Sequence, residues 1–215
     1  MNISGKIVHF DLCGMPFAFC NQSSKNWVYP YEYQGDKEDL CDAGCGIFSI
    51  VHAVECMQGF FCPPEIIARF SVMNGGRGDD GTDRPTLLRA MEEKGLAKTL
   101  GFCYHGEDLR NDKEALFEHL IEGNGTALCN LRKGHIVCLI GARETDEGQE
   151  VLAIDSANET DNVLLREMIT EVLPETVIRK EKKNSKGLVV SRAVTYAAYW
   201  VKMDTVKDFN LLHIL

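Results

Sequence analysis

Asp42-Ala43-Gly44-Cys45-Gly46 runs directly into Ile47-Phe48-Ser49-Ile50-Val51-His52-Ala53-Val54. An apolar stretch of this length, broken only by Ser49 and His52, predicts a buried helix over 45–57 with its stop near Gly59. Cys45 then stands where the helix begins. The first amides of a helix have no intrahelical acceptor, and that end carries partial positive charge. Both favour the thiolate, the reactive form of cysteine. Glycines on either side are expected to leave the sulfur uncovered. A cysteine that only fills space needs none of these features.

Working outward, the chain before this helix reads as a hairpin or two edge strands, followed by a loop. Lys6–Phe10 and Pro16–Cys20 are short apolar runs around a Cys13-Gly14 break. Residues 21–44 are loop-like, with aromatics at Trp27, Tyr29, Tyr31 and Tyr33 and acidic residues over 36–42. Beyond the helix, Pro63 or Pro64 opens a second one through Phe70. The glycine-rich segment 74–83 predicts a mobile loop, a candidate lid. Pro85–Glu93 and residues 112–122 carry apolar residues at helical spacing.

The character then changes. Thr126–Leu131, His135–Ile140 and Glu150–Ile154 are short β-rich runs separated by turn signals. Residues 162–178 suggest a helix followed by an extended piece, Lys180–Lys186 a solvated charged loop, and Leu188–Val190 and Val194–Met203 closing strands. Helices first and an antiparallel sheet second predict an α+β fold, with a helical N-terminal half packed on a C-terminal sheet. Nothing divides the chain, so residues 1–215 are expected to form a single domain.

Composition narrows the function. A formal charge of -9 without a basic patch argues against a nucleic-acid partner. No apolar run approaches the roughly 18 residues of a membrane span, and no signal-peptide core is evident. A cytoplasmic protein without membrane association is the expectation. Nine cysteines, an odd number, then favour free thiols over a disulfide framework.

A nucleophilic cysteine needs a base, and the base needs an orienting group. His52 lies seven residues along the same helix, about 10 Å from Cys45, and reads as a core residue. His105 and His119 sit in charged sequence and read as surface residues. His135 follows Gly134 and opens the apolar run Ile136–Ile140, at the edge of a buried strand. Asp155 ends the next run, Val151–Ile154, where a carboxylate must find a partner or water. Antiparallel pairing through the turn at 144–149 brings His135 and Asp155 to one sheet edge. Cys45, His135 and Asp155 then form a candidate Cys–His–Asp triad.

Gly44-Cys45-Gly46, Gly81-Thr82 before a helix, Gly134-His135 with the following apolar run, and Ile154-Asp155-Ser156 resemble in order and spacing the papain-like cysteine peptidases of the bacteriocin leader-processing, double-glycine type (C39-like). The resemblance spans residues 27–157. It implies a papain-like fold and acyl transfer through a thioester. Cys45 would be the nucleophile, His135 the general base and Asp155 its orienter. Gln34 would be the oxyanion-hole amide, with Gln22 as second choice. Gln34 stands eleven residues before Cys45, further than the family's spacing, and Ile47 and Ser156 depart from its usual residues.

The resemblance implies a peptide or protein substrate, no metal and no cofactor. Three other readings remain open on the residues alone. Cys41, Cys45, Cys56 and Cys62 could bind a metal, although their spacing is not that of common zinc sites. Transglutaminase-like or phytochelatin-synthase-like acyltransferases use the same triad. A peptide-binding module could keep the scaffold without the chemistry.

Overall fold

A computed structural model describes residues 7–106, 108–110, 112–132, 134–157 and 167–215. The chain opens with the hairpin β1 (Ile7–Leu12) and β2 (Met15–Cys20), turning at Cys13-Gly14 as expected. A loop follows, then a single turn α1 (Leu40–Ala43) and the buried helix α2 (Cys45–Gln58). Gly59 ends α2 in the left-handed conformation that glycine adopts without strain. Next come α3 (Pro64–Met73), the two-residue strands β3 (Arg77–Gly78) and β4 (Gly81–Thr82), α4 (Arg84–Glu93), α5 (Leu96–Thr99), β5 (Phe102–Cys103) and β6 (Asp108–Arg110).

The second half holds α6 (Lys113–Ile121), β7 (Gly125–Arg132), β8 (His135–Thr145), β9 (Gly148–Ile154), β10 (Ile169–Val172), β11 (Val177–Lys183), β12 (Val189–Tyr196), β13 (Ala198–Lys202) and β14 (Asp208–Ile214). An eight-stranded sheet runs β10-β13-β9-β8-β7-β14-β5, with β6 also on β14. Every described pairing in it is antiparallel. The α+β expectation holds.

Strand alternation divides the core between two faces. Leu128, Cys138, Leu152 and Ile154 join the cluster built on α2. Their neighbours Ala127, Cys129, Val137, Leu139, Val151 and Ala153 join Leu116 and Leu120 of α6 in the other. The sheet is thus covered by a helix on each side. α2 is enclosed almost all round: every residue from Cys45 to Glu55 is buried, which explains its uniformly apolar sequence. His52 is fully buried, and its Nε2 accepts the Cys20 amide at 2.9 Å. A ring that accepts through Nε2 carries its proton on Nδ1 and is neutral. Burial holds its pKa down to about 3, and the distant Asp155 charge offsets this only in part.

Several local expectations change. Lys180–Lys183 belongs to a strand, β11, hydrogen-bonded to β12, rather than to a loop. Of the helix expected over 162–178, residues 162–166 lie outside the described residues. Beyond them residues 167–168 are helical, and the extended piece expected after the helix is present as β10, interrupted by a 3-10 turn at Pro174–Thr176 before β11. The glycine-rich segment is a fastened hairpin, not an open lid. The Arg77 side chain is buried there, donating from Nε to the Tyr31 carbonyl at 2.8 Å and pairing with Asp36 at 3.0 Å and Glu38 at 2.5 Å. The aromatics upstream are packing residues in two cases: Trp27 and Tyr31 are fully buried. The Tyr31 hydroxyl lies 2.9 Å from both Ser71 Oγ and Thr82 Oγ1, tying the hairpin to α3.

Candidate active site

The glycines beside Cys45 serve close packing, not exposure. A Cβ on Gly44 would lie 2.4 Å from the Leu40 carbonyl, and one on Gly46 2.5 Å from Thr82 Cβ. Cys45 itself is only 6% exposed. Bare backbone at these positions lets α1 and the β3–β4 hairpin close on the start of α2. Gly46→Ala is expected to force the hairpin away and lower stability by about 1–3 kcal/mol, read from chemical denaturation.

One turn into α2, the Ser49 hydroxyl lies 2.9 Å from the Cys45 carbonyl and 3.0 Å from the Ile136 carbonyl of β8. The hydroxyl therefore bridges the helix to the strand that begins with His135. The Gly46 and Ile136 amides and the His135 side chain lie near enough to the Cys45 sulfur to lower its proton affinity. The two sequence-distant groups meet as expected.

His135 Nε2 lies 2.5 Å from Asp155 Oδ1, leaving Nδ1 for the thiol. The β8–β9 hairpin creates this contact. Its two-residue turn pairs Thr145 with Gly148, and after a one-residue register shift between Gly141 and Leu139 the pairing continues to Cys138 opposite Ile154. Asp155 follows Ile154 directly and so falls at the His135 end of β8. The carboxylate is fully buried and well supplied with donors. Oδ1 also accepts the Ala157 amide at 3.0 Å, and Oδ2 accepts the Tyr199 hydroxyl at 2.8 Å. Tyr199 lies on β13, which pairs Ala198 with Ile154. Sequence reasoning missed it, because only the non-local β13–β9 pairing brings this tyrosine to Asp155.

These contacts set the proton affinities. Burial alone pushes the Cys45 thiol up. The His135 hydrogen bond and charge, with the Ile136 and Gly46 amides, outweigh it, and the thiol titrates below its ordinary range. Burial pulls His135 down, but the Asp155 charge and hydrogen bond, with Cys45, hold it up at about 9. The favoured state is therefore a thiolate beside an imidazolium. The other cysteines with a resolved shift, Cys13, Cys20, Cys41, Cys56, Cys62, Cys103, Cys129 and Cys138, are all moved the other way, with burial the leading cause.

Gln34 is not brought to this group. It is exposed in a turn at φ 49°, and its amide donates to the Tyr33 hydroxyl at 2.8 Å. The glutamine beside the triad is Gln22. It is buried, accepts the Ser156 hydroxyl at 3.0 Å through Oε1, and places Nε2 3.4 Å from the Cys41 carbonyl in the turn ahead of Cys45. Its backbone N–H donates to the Ser156 carbonyl at 2.8 Å, which pins the β2 exit to the residue after Asp155. From the sequence Gln34 ranks first because it stands nearer to Cys45 along the chain.

A groove of about 260 Å³ opens over Cys45, lined also by Asp80, Thr82, Arg84, Asn130, Gly134 and Ile136. It shares Asp80 and Gly134 with a second hollow of about 450 Å³ lined by Glu38, Asp42 and Asp79. The Arg84 guanidinium is committed to the Leu128 carbonyl at 2.7 Å and Asp208 at 2.9 Å. The approach to the sulfur is acidic on one side.

The four-cysteine metal set does not assemble as a cluster of ligand atoms among the described residues. No described helix is long and apolar enough to cross a membrane. Comparison with known family models, curated proteins and solved structures finds no match to this chain.

Proposed function

We propose that the protein is a cysteine peptidase of papain-like fold that cleaves a peptide or isopeptide bond through a thioester at Cys45. The observation that carries the reading is the unbroken chain of contacts from the Cys45 thiol through His135 to Asp155 and Tyr199. The Cys45 thiolate attacks the scissile carbonyl carbon and forms the carbon–sulfur bond. The imidazolium of His135 donates its Nδ1 proton to the leaving amine as the carbon–nitrogen bond breaks. Neutral His135 then takes a proton from water, whose oxygen attacks the thioester and releases the acid.

The tetrahedral oxyanion needs preorganised donors. The amides at the start of α2 supply one, since the first turn of a helix has no internal acceptors. Gln22, held between the Ser156 hydroxyl and the Cys41 carbonyl, is the candidate for the other, in the role the sequence resemblance gave to Gln34. Digestion of a mixed peptide library with mass-spectrometric readout tests the proposal. New termini that form with the native chain and vanish with Cys45→Ala support it. Absence of both cleavage and acyl transfer across the library overturns it.

The acidic groove favours a substrate with Lys or Arg near the scissile bond. Asp80 lines both hollows. Exposed charge pairs contribute about 0.2–1 kcal/mol, so Asp80→Asn is expected to raise KM for cationic peptides roughly 1.5- to 5-fold. Neutral peptides should be turned over with unchanged KM. The same acidity favours a second reading, transfer of the acyl group to an amine. Adding a primary amine to the digest separates the two: an amide product marks transfer, and a free carboxylate marks hydrolysis.

A further inference from the structure

Far from Cys45, the last strand closes over a group of cysteine and histidine side chains that the proposed peptidase chemistry does not use. Cys103 on β5 stands directly opposite His213 on β14 in the antiparallel register. Cys103 Sγ is 3.7 Å from His105 Nε2. The His105 and His213 rings are 4.6 Å apart between centroids, and those of His213 and His119 on α6 are 4.7 Å apart. These residues come from β5, the loop after it, α6 and the final strand. We propose that Cys103, His105 and His213, with His119 behind them, form a binding site for a borderline transition-metal ion, Zn2+ being the best fit.

The chemistry favours such an ion over a hard one. One thiol and several imidazoles suit zinc, whereas magnesium and calcium take oxygen ligands. A tetrahedral zinc holds a sulfur and a nitrogen about 3.6 Å apart, given the usual bond lengths. The Cys103–His105 separation already matches this. The remaining ligand atoms stand wider than a bound ion would set them, since among the described residues only Asp39, Cys41 and Asp42 are already drawn together. Closing the site requires the partly exposed His213 ring, which lies against both other imidazoles, to turn toward the Cys103–His105 pair.

Two further features suit an ion. The buried His119 has Nε2 3.1 Å from the Thr126 carbonyl. A ring that donates there has its lone pair on Nδ1, the tautomer arrangement of metal-bound imidazoles. Gly125 gives this ring its space: a Cβ there would lie 3.1 Å from His119 Nε2 and even closer to the Leu212 carbonyl. Cys103 is partly exposed, so an ion can enter from solvent. On binding, the Cys103 S–H bond is replaced by a sulfur–metal bond and one proton is released. The bound ion would fasten the two-residue strand β5 to the end of β14.

The test uses the full chain carrying Cys45→Ala, so that the thiol of the candidate triad cannot hold the metal. Zn2+ is titrated against a chromophoric chelator, and Co2+ binding is followed by sulfur-to-cobalt charge-transfer absorption. One equivalent of Zn2+ is expected to bind, and the Co2+ spectrum is expected to show thiolate ligation. Adding His105→Ala, an exposed position that leaves the fold intact, should weaken Zn2+ at least tenfold. Adding Cys103→Ser should abolish the charge-transfer band. No binding at one equivalent, or binding unchanged by both substitutions in folded protein, overturns the proposal. Because every measurement is made without Cys45, failure of the peptidase reading leaves the result unaffected, and the converse also holds.

Discussion

His135→Gln should slow alkylation of Cys45 by iodoacetamide at pH 6 by roughly tenfold or more and lower turnover far more. The thiol is buried, and burial alone pushes its proton affinity up. What reverses this is led by the hydrogen bond and charge of His135, which remains protonated up to about 9. Removing the imidazole returns the thiol to at least its ordinary range. A thiol with a pKa of about 8.5 is roughly 0.3% ionised at pH 6, and beside the imidazolium the Cys45 thiol, shifted down, is ionised to a greater extent. Turnover loses the same thiolate and also the proton donor to the leaving amine, so a loss of roughly 10⁴- to 10⁶-fold is expected, as for triad hydrolases stripped of their histidine. Mass spectrometry of briefly labelled protein reads the first effect directly. In the native chain, modification should concentrate on Cys45 among the nine cysteines. Labelling spread evenly over several cysteines, and indifferent to the substitution, would mean that the thiol is not activated.

The three positions of the candidate triad were legible because each announces itself locally. Cys45 stands between glycines at the mouth of an apolar helix, His135 opens a buried strand, and Asp155 ends one. The β8–β9 hairpin, whose short turn and single register shift near Ile140 set the pairing, converts those local signals into a 2.5 Å contact. What stayed hidden depends on contacts between distant segments. Tyr199 reaches Asp155 only because β13 adds to the far side of β9. Gln22 displaces Gln34 because the chain from 21 to 44 detours through a buried Trp27 and Tyr31 before returning to Cys45. Four glycines within residues 74–83 suggested mobility, yet the buried Arg77 with its carbonyl and carboxylate partners holds that hairpin in place. His119 looked like a surface residue because its helix carries charges, but the helix turns that ring into the sheet. Lys180–Lys183 alternates neither way and reads as loop, although pairing with β12 makes it a strand.

Asp155 offers the second large effect, and it separates positioning from charge. Asp155→Ala removes the acceptor of both His135 and the buried Tyr199 hydroxyl. A loss of roughly 10²- to 10⁴-fold in kcat/KM is expected, because the imidazole then lacks both an orienter and a countercharge. Asp155→Asn keeps an oxygen that can accept from Nε2 but removes the negative charge that leads the forces raising His135. Burial then acts on the ring with less opposition, and its pKa falls from about 9 toward the ordinary histidine range. The sign follows from which form works. Turnover needs Cys45 ionised and His135 protonated, so kcat/KM rises through the thiol's titration and falls as pH increases through that of the imidazolium. The native profile should fall near 9, and the Asn variant should fall at lower pH with a smaller loss at its optimum than Ala. Tyr199→Phe, which deletes one donor to the same carboxylate, should leave His135 at least as basic and so leave the alkaline limb at or above its native position. An alkaline limb unmoved by Asp155→Asn would show that another group, not the His135 imidazolium, delivers the proton.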